Sequence, residues 1–412
     1  MRLLAISYML PPALYPQAIQ IGRLLDRLPA ELGLVSGDLG TLAAGMEPMG
    51  DMISHPAFRL EIGYRPALSG LALNLARRLV PFYARVPDEF RPWVPLAEPA
   101  VVAELTRTKF RPDAILSFGE PMSDHLLALR LKRRLGMPWL AHFSDPWADN
   151  PFRRAQPLAN IVNRRLEARV IAAVDRIVFT SAETRDLVMR KYPAAWHAKA
   201  SVVPHSFDPA LYPSPATRSG KLTLRYIGNF YGHRTPLPLL RALRLLLDES
   251  PASVHDIRVE LVGRAPSWLR LHPVWRALPS GLVALVPPVP YRQALTLMVE
   301  SDLLLVIDAA DELSVFLPSK LVEYLGAGVP IFGIVPPGPS AKLIERLGGI
   351  VADPGDINAV TAGLRRALDQ AQRERKSVEP WGDSALRNEY YAKNVAAEFA
   401  RILDRMVRPT AG

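Results

Sequence analysis

Residues 312–338 read ELSVFLPSKLVEYLGAGVPIFGIVPPG. They predict, in order, a loop, a helix that begins at Pro318, a glycine-containing stop at 326–328 and a buried strand. Proline suits the first helical turn because its fixed φ is already helical and its missing N–H would have had no partner there. Glycine suits the stop because it enters the left-handed region without a Cβ penalty. A short apolar run after such a helix reads as a strand buried on both faces, in a parallel sheet covered by helices.

The same alternation runs through the chain. Apolar runs bounded by turn residues stand at 3–7, 114–118, 139–143, 176–180 and 201–203, then at 222–227, 257–262, 282–286, 303–307 and 330–335. Longer amphipathic stretches separate them, which predicts two similar α/β halves. Residues 204–215, PHSFDPALYPSP, are rich in proline and serine and precede a fresh strand. The expected boundaries are therefore a first domain over 1–205, a linker over 206–220 and a second domain over 221–385. Tyr391, Val395, Phe399, Ile402 and Met406 share one helical face, so 386–408 reads as a docking amphipathic helix.

The 412 residues are enough for two or three domains, and 49% hydrophobic with 22% charged is ordinary globular usage. The absence of cysteine removes disulfides, Cys-zinc sites, iron–sulfur clusters and thiol nucleophiles together, and fits a cytoplasmic protein. Nowhere do 18 consecutive apolar residues occur, so the expectation is a soluble or peripheral protein. The formal charge of +10 is uneven, with 26 basic against 19 acidic residues in 1–205 and 24 against 21 in the remainder. Such a bias points to an anionic partner: a phosphate-bearing substrate, anionic lipid headgroups or nucleic acid.

Missing motifs narrow the chemistry. There is no GxxxxGK[ST], no GxGxxG after the first strand, no GxSxG, no HExxH and no DxD pair. A metal-independent reaction without a resident cofactor is expected. At the start of the helix after Pro318, the amides of Ser319 and Lys320 point outward, where a phosphate can sit. Lys320 and Glu323 are three apart and share a face. They serve as a cation toward phosphate and a carboxylate toward sugar or ribose hydroxyls, or else as a solvated surface pair. In the first half, the strand over 139–143 ends in Ser144-Asp145-Pro146-Trp147, which puts Asp145 at a carboxyl strand end, where parallel α/β sheets bind ligands. Asp145 and, second to it, His142 are the candidates for work near an acceptor; the alternatives are a capping aspartate and a buried histidine. Glu120 follows the strand over 114–118 as an acceptor-side carboxylate or a helix N-terminal charge. Trp93 and Trp147 read as packing residues.

These segments together resemble a known family. PSKLVEYLGAGVP, with YMLPPAL (8–14), VPDEFRPWVPLA (86–97), RPDAILSF (111–118), LGMPWLAHFSDPW (135–147), AVDRIVFTSAET (173–184), VVPHSFDP (202–209) and LRYIGNFYGHR (224–234), is similar in order and spacing to GT-B glycosyltransferases of family 4 type, especially the bacterial cell-surface polysaccharide branch. The resemblance implies an α/β GT-B fold of two facing Rossmann-like domains with a C-terminal helix over 386–412 crossing back to the first. It implies a nucleotide diphosphate sugar as donor, a lipid-linked or oligosaccharide acceptor, no metal and retention of configuration. Carried over by position, Glu323 meets the nucleotide ribose, 318–320 lie under the diphosphate, and Gly228 ends the first strand of the second domain. Asn229 stands where the family often has Arg, and Arg234 is near its second cation. Val315 stands where the family has a carboxylate eight residues before Glu323, so donor-sugar recognition differs unless Glu312 or Asp311 reaches in.

Residues 130–176 hold ten basic and four acidic side chains, and 67–86, ALSGLALNLARRLVPFYARV, mixes Leu, Phe and Tyr with arginines as an interfacial segment would. Peripheral contact with an anionic membrane at the cytoplasmic face is expected, and nucleic acid is not, since no accompanying recognition motif is present. The rival readings are a nucleotide-sugar epimerase or glycoside phosphorylase of the same architecture, and a glycosyltransferase-like scaffold without donor binding.

Overall fold

Branched and long aliphatic side chains make the strands, and every strand pair in the computed structural model is parallel. The structure describes residues 1–13, 15–38, 52–64, 86–151, 157–214, 220–311, 313–377 and 379–408. The chain divides into two units, Met1–His205 with Ala392–Gly412, and Ser206–Tyr391.

The first unit holds β1 (Arg2–Ile6), β2 (Glu31–Gly37), β3 (Phe58–Ile62), β4 (Ala114–Phe118), β5 (Trp139–Phe143), β6 (Arg176–Phe179) and β7 (Ala200–Val202), in the order β3-β2-β1-β4-β5-β6-β7. Successive strand residues alternate between faces. Ile115, Trp139, Ala141, Phe143 and Ile177 therefore pack with α2 (Val94–Thr108), α3 (Ser123–Leu135) and α4 (Pro157–Ala173). Leu3, Ala5, Leu116, Leu140 and Val178 form the other core, with α1 (Pro16–Arg27). A further helix, Ala182–Met189 (α5), follows β6.

The second unit repeats the pattern with β8 (Leu222–Ile227), β9 (Ile257–Val262), β10 (Val283–Val286), β11 (Leu303–Ile307), β12 (Ile331–Ile334) and β13 (Ile350–Ala352), ordered β10-β9-β8-β11-β12-β13. Helices α6 (Leu237–Glu249) and α10 (Ile357–Glu374) line one core. Helices α7 (Tyr291–Val299), α8 (Ser319–Ala327) and α9 (Pro339–Arg346) line the other. In each sheet the chain winds outward from the centre in both directions. The reversal falls between β1 and β4 in one sheet and between β8 and β11 in the other.

Two expectations are corrected. Of the linker expected over 206–220, the described residues 206–214 are part of the second unit: Phe207 is in its core and Tyr212 packs against α8, while 215–219 lie outside the described residues. Nor is 386–408 one helix. A short helix, Ser384–Glu389, capped by Asp383, ends in the second unit, and α11 (Ala392–Val407) belongs to the first. The break is made by pairing: Phe207 N donates to Tyr390 O at 3.0 Å, and Phe207 bridges to Tyr391, whose ring meets the Phe207 ring edge-on at 5.1 Å. Tyr391 thus serves that bridge, while Val395, Phe399, Ile402 and Met406 do share a buried face, set on the sheet core that holds Leu3 and Leu140.

Three strands escaped the sequence reading. Interior β2 is diluted by Gly33 and Gly37, where an added Cβ would lie 2.5 Å from the Phe58 ring and 2.4 Å from the Tyr8 ring. Strands β3 and β13 are sheet edges; the first carries Arg59 and Glu61, and the second has three residues.

Three of the first unit's imidazoles, His125, His142 and His205, are held neutral by burial. His125 is fully buried, stacked on Phe143 at 4.5 Å and hydrogen-bonded to Ser117 Oγ at 2.8 Å. Burial holds His125 down to about 3; burial, with His205 and His125 nearby, does the same for His142; and burial, with Arg23, holds His205 down to about 4.

Phe399→Ala should lower the unfolding free energy by about 3–5 kcal/mol in urea titrations. Arg401→Ala, at an exposed ion pair with Glu398, should change it by less than about 0.5 kcal/mol. The histidines set a pH dependence. The unfolded chain protonates them near pH ~6.5, while the folded unit does not until well below that, so the unfolded state binds more protons in between. Stability is full above about pH 6.5 and falls as the pH drops toward about 4, by up to about 1.4 kcal/mol per pH unit for each imidazole. A melting temperature flat between pH 7 and 5 would show that the rings are solvated.

Candidate functional site

In open parallel sheets, ligands bind beyond the carboxyl ends of the strands where the winding reverses. In the second unit that place is the end of β8 beside the end of β11. Gly228 follows β8 at φ 145°, and a Cβ there would come within 2.9 Å of Lys320 Nζ. Gly263 follows β9 at φ 128°, and a Cβ there would strike Gly228 O at 2.2 Å. Both turns require glycine, and the result is a lysine brought against bare backbone.

Pro318 is the N-cap of α8 and Ser319 its first residue, one position later than the sequence reading, and the N-cap side chain makes no capping hydrogen bond. Lys320 Nζ donates to Tyr226 Oη at 2.5 Å and sits 4.0 Å over the Tyr226 ring. That ring stacks on Phe230 at 4.2 Å. Burial, reinforced by the Arg234 charge, pulls the Lys320 ammonium down to about 7. Arg234 is itself buried and pairs with Asp308, Nε to Oδ1 at 2.6 Å, so most of its charge is met from within the fold. The exposed Tyr231 ring lies 4.7 Å from its guanidinium and its hydroxyl accepts from Nη1. Asn229 is exposed, and its Oδ1 accepts from Arg264 N at 2.9 Å.

Gly228, Asn229, Arg234, Ser319 and Lys320 thus gather at one strand end. Glu323, one turn along α8, is 6% exposed and no solvated surface group. Its Oε2 accepts from the hydroxyls of Tyr212 at 2.9 Å and Tyr291 at 3.0 Å. Val315 is buried in the loop before α8, Asp311 is exposed, and Glu312 lies outside the described residues. Sequence reasoning missed Tyr226, Asp308, Tyr212 and Tyr291. Asp308 carried a signal, an acid directly after the buried run LLLVI; the tyrosines carried none that separates them from core residues.

In the first unit the reversal lies between the ends of β1 and β4. Glu120 there adopts φ 70° directly after Gly119, whose N–H donates to His142 O at 2.8 Å, so the ends of β4 and β5 are tied together. His142 is buried against Phe118 and Phe399, 5.4 and 6.1 Å between rings, and its low proton affinity keeps it neutral. Asp145 is partly exposed on the loop after β5. That loop is held from behind. Trp147, fully buried like Trp93, donates to Asn163 Oδ1 at 2.9 Å, and Ala148 N donates to Glu167 Oε2 at 2.8 Å. Lys191 and Tyr192 both reach Glu167 Oε1 at 2.6 Å, which supplies the partners that a fully buried carboxylate needs. Asp124, not foreseen, lies nearby in the chain at the start of α3; it accepts from Tyr8 N at 2.9 Å, and burial lifts its carboxyl well above the usual range. Most of the 67–86 segment lies outside the described residues, and among the described residues no helix is long and apolar enough to cross a membrane.

Comparison with known proteins agrees with this architecture. Residues 41–206 match the family model of the glycosyl transferase 4-like domain. Among solved structures the chain is similar to HepE from Anabaena in complex with UDP and glucose, at TM-score 0.65 and 14% identity over 98% of this chain and 99% of that one. It is similar to sucrose-phosphate synthase from Thermosynechococcus elongatus, at TM-score 0.70 and 14% identity over 98% of each chain. It is also similar to the lipopolysaccharide outer core galactosyltransferase WaaB in its apo form, at TM-score 0.59 and 13% identity over 98% and 99%. No curated protein matches the sequence. The chain thus carries a stretch similar to the glycosyl transferase 4-like domain at 41–206, and its two parallel α/β units have the GT-B fold of these solved structures.

Proposed function

We propose that the protein transfers a sugar from a nucleotide diphosphate sugar to a lipid-linked glycan acceptor, without metal and with retention of configuration. The observation that carries this reading is the strand end at Gly228. There two glycines let the backbone approach closely, the start of α8 presents amide donors, and Lys320 offers an ammonium held by a neutral phenol rather than a carboxylate. Such a place suits the diphosphate, whose negative charge grows as the glycosidic bond breaks. Arg234, anchored by Asp308, and Asn229 border it, and Glu323 takes the ribose.

On the first unit, Asp145 orients the acceptor from its braced loop, with neutral His142 and Glu120 on the neighbouring strand ends. A donor phosphate oxygen assists removal of the acceptor proton, so no carboxylate nucleophile is required. Exposed Leu158 and Ile161, 69% and 50% accessible, stand about two turns and one turn before Arg164 and Arg165 on α4, which supports peripheral contact with an anionic bilayer at the cytoplasmic face. The compensated Arg234, with Val315 in place of a carboxylate, favours one second reading, a glycosyltransferase-like scaffold without donor chemistry.

One screen separates the two: thermal shift with UDP, GDP, ADP, dTDP and CMP in EDTA. A transferase is stabilised by one nucleoside diphosphate; a folded chain indifferent to all of them is the scaffold. Lys320→Ala should weaken nucleotide binding about 10- to 100-fold in calorimetry, in line with the loss of a charge-assisted hydrogen bond. Asp145→Ala should lower turnover at least about tenfold while nucleotide affinity stays within about twofold. Unchanged affinity in both Lys320→Ala and Glu323→Ala would overturn the donor placement.

Affinity for the intact nucleotide sugar should also depend on pH. Its phosphodiesters do not titrate near neutrality, whereas the Lys320 ammonium, at about 7, must be charged to pair with them. Binding then takes up a proton above pH 7, and affinity falls by up to about tenfold per pH unit between about 7 and 9. Lys320→Met should flatten that slope; an equal slope in the variant would assign it elsewhere.

A further inference from the structure

We infer that Tyr212 and Tyr291 are positioning residues that hold the Glu323 carboxylate in one orientation for the ribose diol of the nucleotide. This rests on the reading that the second unit binds the donor.

A carboxylate buried to 6% exposure is costly unless hydrogen-bonded, and a lone glutamate on a helix would otherwise sample several rotamers. Here two hydroxyls from different elements converge on the same oxygen, Oε2. Tyr291 is the first residue of α7. Tyr212 comes from the segment that leads into β8, and its hydroxyl is also 2.8 Å from Glu323 O. The Tyr212 ring is seated by sequence one turn further along α8, where a Cβ at Gly326 would lie 2.2 Å from it. Glu323 and Gly326 thus form one seat, three residues apart: the glycine admits the ring and the glutamate receives the hydroxyl. Phe207 backs the ring edge-on at 6.1 Å.

The test uses the full chain, with UDP, GDP and ADP each paired with its 2′,3′-dideoxy counterpart, in calorimetry of Tyr212→Phe, Tyr291→Phe, the double variant and Glu323→Gln. Phenylalanine keeps the ring against Gly326 and removes the hydroxyl alone, and melting curves establish that each variant is folded. Each single variant should lose about 3- to 10-fold in affinity for the ribonucleotide and less than twofold for the dideoxy compound. The double variant should approach Glu323→Gln. Equal losses for both ligands, or no loss while Glu323→Gln loses ribonucleotide affinity, would overturn the positioning role alone. A Glu323→Gln variant that binds the ribonucleotide as the natural chain does would instead overturn the donor-site reading on which the role rests.

Discussion

A parallel sheet cannot leave either face to water, because its strands are apolar on both sides and its crossovers must run over those sides. Most of the described structure follows from that constraint. In the second unit one continuous piece of chain satisfies it, with α6 and α10 on one face and α7, α8 and α9 on the other. In the first unit the chain up to His205 does not suffice. Helix α1 covers part of the face that holds Leu3, Leu34, Leu116 and Leu140, and α11 supplies Val395, Phe399, Ile402 and Leu403 for the remainder. The chain therefore crosses between units twice, and the two crossing segments are bonded to each other at Phe207 and Tyr390.

The same winding decides where chemistry can occur. Strand ends at a reversal are places where backbone leaves the sheet in diverging directions, and what fills the gap is set by the residues just beyond the strands. In the second unit these are glycines on one side and a lysine-bearing helix start on the other. Burying two cations there without compensation would be costly, and the fold resolves it unequally. Arg234 has Asp308 at 2.6 Å; Lys320 has a phenol and an aromatic face. The first cation is neutralised by a carboxylate, and the second is met by a hydroxyl and a ring face.

The sheets were legible because interior parallel strands are short unbroken apolar runs, and those at 114–118, 139–143, 222–227, 257–262 and 303–307 coincide with the observed elements. Legibility failed where a strand also makes room for its neighbours, since β2 gives up side chains at Gly33 and Gly37 to admit Phe58 and Tyr8, and at the edges β3 and β13, which need less apolar surface. It failed again at 390–391, where a helical pattern was interrupted by a bridge to residues far away in sequence. At the site, glycines and the helix start could be read from local spacing. Asp308, Tyr226, Tyr212 and Tyr291 could not, because their meaning lies in pairings across 74, 94, 111 and 32 positions.

The discontinuity of the first unit also bears on its birth. Synthesis delivers residues 1–205 first, but the sheet face shared by Leu3, Leu116 and Leu140 stays without its last cover until α11 emerges. The second unit, contiguous over Ser206–Tyr391, can close before then. The unit that is first in sequence is therefore the last to mature, and it does so by capturing a helix that arrives after its partner unit has been made.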